Sequence, residues 1–242
     1  MNSDRFLAQQ KTYFATSYKQ FCAFGGPCVY FHRECLRAGK ESFASQRHIE
    51  TLYATLTAWG MHRMGDAGRT KTKLTGWDQF RTSIEKVAAI LEPFRCMKLT
   101  DMSEKEYAAA VANIRKAYDV LRLSESDATI VVNAKALYHL VPDLIPPIDR
   151  QYTVPFFRHT SDKWLTPKRK FKPVMLPKGG DAQFRLFHEI CGKVKRLADR
   201  VDSALFDKEL NDNDVTPPKA IDNAIVNYVR IVSKIPIEDS NA

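Results

Sequence analysis

Apolar side chains recur every three to four residues along most of the chain, and this spacing predicts a protein built almost entirely of α-helices. Ser45 and Ser103 precede two such segments and are predicted to cap their helices, while Pro27 is predicted to lie in the first turn of another. The predicted helices cover about 4–23, 27–38, 46–59, 77–91, 103–121, 126–141, 181–208 and 219–234, with a further short helix from about Arg150.

Prolines and glycines mark the predicted connections between these helices. Pro146-Pro147 predicts an extended stretch, because proline removes a backbone donor and cannot continue a helix. Residues 160–180 are predicted to form a loop. Ser126 is predicted to cap the helix at about 126–141. The apolar run at Thr129–Val132 is compatible with a strand, but its continuation at helical spacing favours a helix.

The length and composition limit the class of protein. A chain of 242 residues is long enough for a substantial core, and we predict an all-α fold with one domain, or two lobes at about 1–100 and 101–242. No apolar run approaches the ~20 residues that span a bilayer. The start of the chain lacks a basic and then apolar leader, so a cytoplasmic location is expected.

Motifs for common cofactors and metals are absent from the sequence. The five cysteines form no paired zinc pattern, and their odd number argues against a disulfide framework, so buried thiols are expected. The sequence has no phosphate-binding loop, no dinucleotide fingerprint, no His-Glu-x-x-His motif and no Gly-x-Ser-x-Gly motif. We therefore predict no cofactor and no metal, and nothing supports nucleotide hydrolysis, dinucleotide-dependent redox chemistry or zinc proteolysis.

The net positive charge of the chain lies in one segment. From Arg150 to Arg200 there are 13 Lys and Arg residues against 4 Asp and Glu residues, a difference that equals the net charge of +9 for the whole chain. Cations that contact phosphates, interleaved with aromatic rings that stack on bases, are typical of nucleic-acid binding. A solvated loop anchored by Trp164 and Phe171 is the alternative. The residues predicted to contact nucleic acid are Arg150, Lys163, Trp164, Lys168, Arg169, Lys170 and Lys172.

One sequence segment carries a resemblance to a known family. Residues 133–152 read NAKALYHLVPDLIPPIDRQY. This segment resembles the junction after the helix-hairpin-helix in DNA glycosylases of that superfamily, where a helix leads through an extended stretch to an aspartate at the active site. Lys135 lies on the helix, and Asp149 matches the aspartate. The sequence departs from the family in lacking its glycine-rich hairpin before Lys135, in a shorter spacing between Lys135 and Asp149, and in having no four-cysteine cluster pattern.

The resemblance implies a two-lobed helical fold with a cleft near residue 149, and an enzyme that flips a damaged or modified base out of double-stranded DNA and excises it. Asp149 is then the catalytic carboxylate, which stabilises positive charge on the sugar and activates water. A helix that begins just after Asp149 would help to keep it ionised. An ordinary helix cap is the alternative for Asp149. Lys135 is either an amine nucleophile that adds strand cleavage or, as we favour, a lysine on the solvent face of its helix.

Four further residues are candidates for a base pocket. Trp59 and His62 lie at the end of an apolar helix, where Trp59 can stack on a base and His62 can donate a hydrogen bond. A histidine that caps carbonyls or faces water is the favoured alternative. Gln151 and Tyr152 adjoin Asp149 and can reach the same cleft. The expected role is DNA repair or defence against phage DNA with unusual bases, and the alternative function is a non-catalytic nucleic-acid-binding module.

Overall fold

The computed structural model describes residues 2–23, 26–61, 73–159, 174–206 and 215–232. This part of the chain is all-helical, as predicted, and contains no β-structure beyond one isolated bridge between Leu74 and Ser124. The α-helices are α1 Asn2–Ala8, α2 Gln10–Ala23, α3 Pro27–Glu41, α4 Gln46–Leu56, α5 Trp77–Leu91, α6 Glu104–Asn113, α7 Arg115–Val120, α8 Ile130–Leu140, α9 Thr153–Arg158, α10 Gly180–Ala198 and α11 Pro217–Val232. Shorter turns of helix lie at Thr57–Met61, Glu92–Phe94 and Leu99–Asp101.

Helix α8 lies at the centre of the fold. Every one of its residues is buried, because apolar side chains surround its whole circumference. It packs against α3, α4 and α10, while α11 packs against α2 and α9 at one side. The polar side chains that α8 carries, Lys135 among them, are therefore held inside the protein rather than on its surface.

Several predicted boundaries shift for identifiable reasons. The predicted caps at Ser45 and Ser103 are confirmed, and Ser103 forms a full capping box with Glu106. Helix α3 does not end before Gly39. It continues through Gly39 to Glu41, and the imidazole of His48 packs so close to Gly39 that a Cβ there would lie 2.8 Å from a ring carbon. This glycine therefore serves packing rather than helix termination.

The start of α8 is capped by a side chain from another helix. Its N-cap residue is Thr129, not the predicted Ser126, and Thr129 makes no side-chain cap. Instead, Oε1 of Gln183 on α10 accepts hydrogen bonds from the backbone N–H groups of Thr129 and Ile130, both at 2.9 Å. The amide of Gln183 also donates to the carbonyl of Asp127 at 2.5 Å. Gln183 thus satisfies two of the backbone donors at the α8 N-terminus and ties α8 to α10.

The proline-rich segment after α8 is extended, as predicted, and ends in a turn at 150–152. Helix α9 begins at Thr153, which is later than the start predicted near Arg150. The turn, α8, α11 and the Thr57–Met61 segment surround a cleft, which contains the candidate site.

Candidate active-site cleft

A cleft of about 720 Å³ opens beside the turn after the proline-rich segment. It brings together four of the residues that the sequence indicated, namely Trp59, Lys135, Asp149 and Tyr152. Helix α11 supplies much of the remaining wall. The other lining residues are Ser17, Cys28, Val29, Pro147, Lys219, Asp222, Asn223, Val226, Asn227 and Arg230.

Lys135 and Asp149 form an ion pair at the base of this cleft. Nζ of Lys135 lies 3.2 Å from Oδ2 of Asp149. The Lys135 side chain is 9% exposed and that of Asp149 is 29% exposed. The prediction that Lys135 faces solvent is wrong, because α8 is buried on all sides and has no solvent face. The ammonium group instead points into the cleft, where the carboxylate balances its charge.

Asp149 is held by its neighbours in the ionised form. Oδ1 accepts a hydrogen bond from the backbone N–H of Gln151 at 2.6 Å, and Oδ2 accepts one from Lys135. Burial raises the pKa of Asp149, but Lys135, the Gln151 N–H and the charge of Lys219 outweigh burial and keep the pKa below its usual value. Asp149 is not the predicted helix cap, since α9 begins at Thr153.

A second lysine–aspartate pair lies on α11 in the same cleft. Nζ of Lys219 lies 2.6 Å from Oδ2 of Asp222, and both side chains are largely buried, at 12% and 8% exposed. Oδ1 of Asp222 accepts from the Thr153 hydroxyl at 3.1 Å, and the same hydroxyl accepts from the backbone N–H of Asp149 at 3.2 Å. The second pair is therefore hydrogen-bonded, through Thr153, to the backbone of the first.

Lys219 and Asp222 are not among the residues that the sequence indicated. Lys219 and Asp222 are three residues apart on a predicted helix, a spacing that is common on solvated helix faces. Helix α11 packs against α2, α9 and α10, and in this setting Asp222 and most of the Lys219 side chain are buried. The one sequence signal was the apolar periodicity of α11, which places Lys219 and Asp222 beside the buried stripe.

Trp59 forms the wall between the two pairs. It lies in a short π-helical segment that ends α4, where Gly60 adopts a φ of 77°. π-Helical turns re-aim side chains and are frequent at functional sites. The ring centroid lies 5.4 Å from Nζ of Lys135 and 5.2 Å from Nζ of Lys219, and the indole N–H donates to the carbonyl of Cys28 at 3.1 Å. The ammonium groups of Lys135 and Lys219 thus both lie near the ring of Trp59.

The rings of two buried histidines pack near the ring of Trp59. The ring of His139 lies 5.0 Å from that of Trp59 and the ring of His32 lies 5.6 Å from it. Nδ1 of His139 lies 2.7 Å from the carbonyl oxygen of Lys135, so it carries the proton that it donates. Nε2 of His139 then accepts from Nδ1 of His32 at 3.1 Å. Burial lowers the pKa of His139 to about 3 and that of His32 well below its usual value, so both are neutral.

The remaining predicted residues are placed as follows. Tyr152 lines the cleft, and its ring centroid lies 5.7 Å from the guanidinium of Arg230. Gln151 is exposed and does not line the cleft, to which it contributes only its backbone N–H. Nε of Arg150 donates to the carbonyl of Val174 at 3.2 Å. The residues that lie outside the described part of the chain are His62, Lys163, Trp164, Lys168, Arg169, Lys170 and Lys172.

Cations in the last turns of α10 and just after it pair with nearby acids. Lys193 pairs with Glu189, Lys195 with Asp199, Arg196 with Glu104 and Arg200 with Asp4. Most of the positive charge that the sequence places on this helix is thus balanced locally. In the sequence from Arg150 to Arg200, the excess of cations over acids is greatest in 163–172, which has five cations and no acid.

Within the described ranges, no three potential metal ligands of the His, Cys, Asp or Glu type lie together. Cys35 and Cys191 are buried, as expected of free thiols, whereas Cys96 is exposed. None of the helices in those ranges combines the length and apolarity needed to cross a membrane. No family profile, curated protein or solved structure matches the chain.

Proposed function

We propose that the protein is a DNA glycosylase-like enzyme that excises a damaged or modified base by hydrolysis of its N-glycosidic bond. The single observation that carries this proposal is an ionised Asp149 that lines a cleft together with a buried lysine and an aromatic wall. The cleft volume of about 720 Å³ lies within the range of small-molecule sites and can accept one flipped nucleotide.

Asp149 has the chemistry that this reaction needs. As the bond between sugar and base breaks, positive charge develops on the sugar, and a nearby carboxylate stabilises that charge. The same carboxylate can accept a proton from the attacking water. Lys135 fixes the position of the carboxylate through their ion pair. For Lys135 to act as a nucleophile, its ammonium must leave this pair and lose a proton, so we assign hydrolysis, rather than strand cleavage, as the main reaction.

The basic segment, residues 163–172, lies in the sequence between two described parts of the chain, one of which contacts Arg150 beside Asp149. Helix α9 leads from the Asp149 turn to His159, directly before residues 160–173, and the chain returns at Val174, whose carbonyl is bound by Arg150 next to Asp149. The chain is therefore bound to a neighbour of Asp149 only two residues after the last of the five cations in 163–172. This arrangement supports DNA as the partner, because phosphate contacts would hold the duplex where the base must be extruded.

Two backbone N–H groups at the start of α8 are already engaged within the protein. In the superfamily that the sequence resembles, backbone amides of the hairpin before this helix bind DNA phosphate. Here the N–H groups of Thr129 and Ile130 already donate to Gln183. Phosphate binding must therefore come from other groups, and we assign it to the basic segment.

The proposal is tested by incubating the purified protein with duplexes that carry modified bases, and with genomic DNA from phages that use substituted bases, followed by alkali to cleave abasic sites. We expect abasic product from the wild type and none from Asp149→Asn, with DNA affinity unchanged. Absence of product from every substrate would refute the enzymatic function. Salt-dependent DNA binding that is insensitive to Asp149→Asn, without any product, would instead support a non-catalytic binding module.

The role of Lys135 is tested separately by borohydride reduction during the reaction. Because Lys135 is ion-paired, we expect base release without covalent trapping of DNA. A trapped complex that disappears in Lys135→Met would show that Lys135 forms a Schiff base.

A further inference from the structure

The Lys219–Asp222 pair presents a donor and an acceptor side by side in the cleft. Both residues line the cleft, and their charged atoms are 2.6 Å apart. An ammonium group has three N–H donors, and in the described part of the chain Asp222 takes one donor of Lys219. A carboxylate has about four acceptor positions, of which Lys219 and the Thr153 hydroxyl use two. Each partner thus retains hydrogen-bonding capacity toward the cleft.

The position of the pair relative to Asp149 fits the two ends of one nucleotide. Lys219 and Lys135 both lie near the ring of Trp59, and Lys135 is paired with Asp149. For a sugar next to Asp149, we assign the base to the side of the cleft that holds Lys219. The charge of Lys219 also acts on the carboxylate of Asp149, so the two groups are close enough to influence each other electrostatically.

We propose that Lys219 and Asp222 read the hydrogen-bonding edge of the target base, and that this base carries a carbonyl beside a ring N–H, as oxopurines and oxopyrimidines do. This inference rests on the proposed function in assuming that the cleft takes a base. The ammonium donates to the carbonyl oxygen, and the carboxylate accepts from the adjoining N–H. In the same orientation adenine has the opposite pattern, because its 6-amino donor meets the ammonium and its N1 acceptor meets the carboxylate, so both hydrogen bonds are lost and adenine binds less well.

The same contact assists bond cleavage. When the N-glycosidic bond breaks, its electron pair leaves with the base, and in an oxo base the resulting negative charge spreads onto the carbonyl oxygen. The Lys219 ammonium stabilises that anion through its hydrogen bond. The water oxygen bonds to the sugar, Asp149 takes one proton from the water and later returns it to solvent, and the released base takes up a proton from solvent.

The test uses free bases, so it does not require catalysis. Hypoxanthine and adenine form a matched pair that differs at one edge of the same purine, and their binding to the full-length protein is measured by titration calorimetry. We expect hypoxanthine to bind about 10-fold more tightly than adenine, a typical effect of leaving a buried polar group unpaired. In Lys219→Met this preference should be lost.

Lys195→Met is the control, because Lys195 is also a buried helical lysine paired with an aspartate but does not line the cleft. It should keep the wild-type preference. If Lys219→Met does not fold, the double variant Lys219→Met with Asp222→Leu leaves no unpaired buried charge and should show the same loss. Equal binding of the two bases, no binding of either, or an unchanged preference in both Lys219 variants would overturn the assignment.

Failure of this inference and failure of the proposed function give different results. If hypoxanthine binds through Lys219 but no DNA yields abasic sites, the base-reading pair stands and the glycosylase proposal falls. If DNA yields abasic sites and Lys219→Met excises the same bases at the same rate, the glycosylase proposal stands and the base-reading pair falls.

Discussion

The ion pair between Lys135 and Asp149 should respond unequally to removal of either partner. Lys135 is 9% exposed and Asp149 is 29% exposed, so water can solvate an unpaired Asp149 better than an unpaired Lys135. Asp149→Asn leaves a buried ammonium with an uncharged amide, and removing one partner of such a hydrogen bond to a charged group costs ~1–3 kcal/mol. We therefore expect Asp149→Asn to lower the free energy of unfolding by ~2 kcal/mol.

Lys135→Met should cost less. It leaves a partly exposed carboxylate that still accepts the Gln151 N–H, and it adds an apolar side chain to a helix that is apolar on all sides. We expect a loss below ~1 kcal/mol. The double variant, Lys135→Met with Asp149→Asn, should lose less than the sum of the two single changes, because it leaves no unpaired buried charge. A double variant that keeps the wild-type free energy of unfolding but no longer excises bases would show that the pair serves function rather than stability.

The assay is urea unfolding of the four proteins at neutral pH, followed by a double-mutant cycle. The reasoning is refuted if Lys135→Met costs as much as or more than Asp149→Asn. It is also refuted if the two single effects simply add, because the coupling energy would then be zero and the ion pair would contribute nothing.

Three further predictions concern the packing and capping of the helices. Burial lowers the pKa of His48 to about 4 and that of His139 to about 3, against ~6.5 when unfolded. The unfolded chain then binds more protons as pH falls from 6.5 toward 4, and each histidine should cost ~2 kcal/mol of stability at pH 5; equal urea midpoints at pH 7.5 and pH 5 would contradict this. Gln183→Leu should lose ~1–2 kcal/mol, as loss of a helix cap does, and an unchanged midpoint would show that the cap is dispensable. Gly39→Ala should lower the melting temperature, because its Cβ would lie 2.8 Å from the ring of His48, and His48→Ala in the same chain should restore much of the loss.

Local sequence rules predicted the elements well where the signal was itself local. The caps at Ser45 and Ser103 and the extended stretch at Pro146-Pro147 depend on neighbouring residues, and the structure contains all three. Contacts between distant segments could not be predicted this way. Gln183 caps a helix more than fifty residues earlier in the chain, and no local pattern indicates which amide it will reach.

In the candidate site, too, features with a local sequence signal were predicted and features that depend on distant contacts were not. The junction around Asp149 singled out Asp149 and Lys135 because it resembles a known arrangement, and the structure places both in one cleft. The burial of Lys135 was missed because a single lysine in an apolar helix looks like the start of a solvent face. Lys219 and Asp222 were missed because helical spacing defines a shared face but not the neighbour that covers it.

The most direct measurement is formation of alkali-labile abasic sites in DNA by the wild-type protein and by Asp149→Asn, across duplexes with oxidised, deaminated and alkylated bases and DNA from phages with substituted bases. We predict product from the wild type on at least one oxo base and no product from a folded Asp149→Asn protein that still binds the same DNA. Product formed at equal rates by both proteins, or by neither on any of these substrates, would contradict the assignment of Asp149 as the catalytic carboxylate.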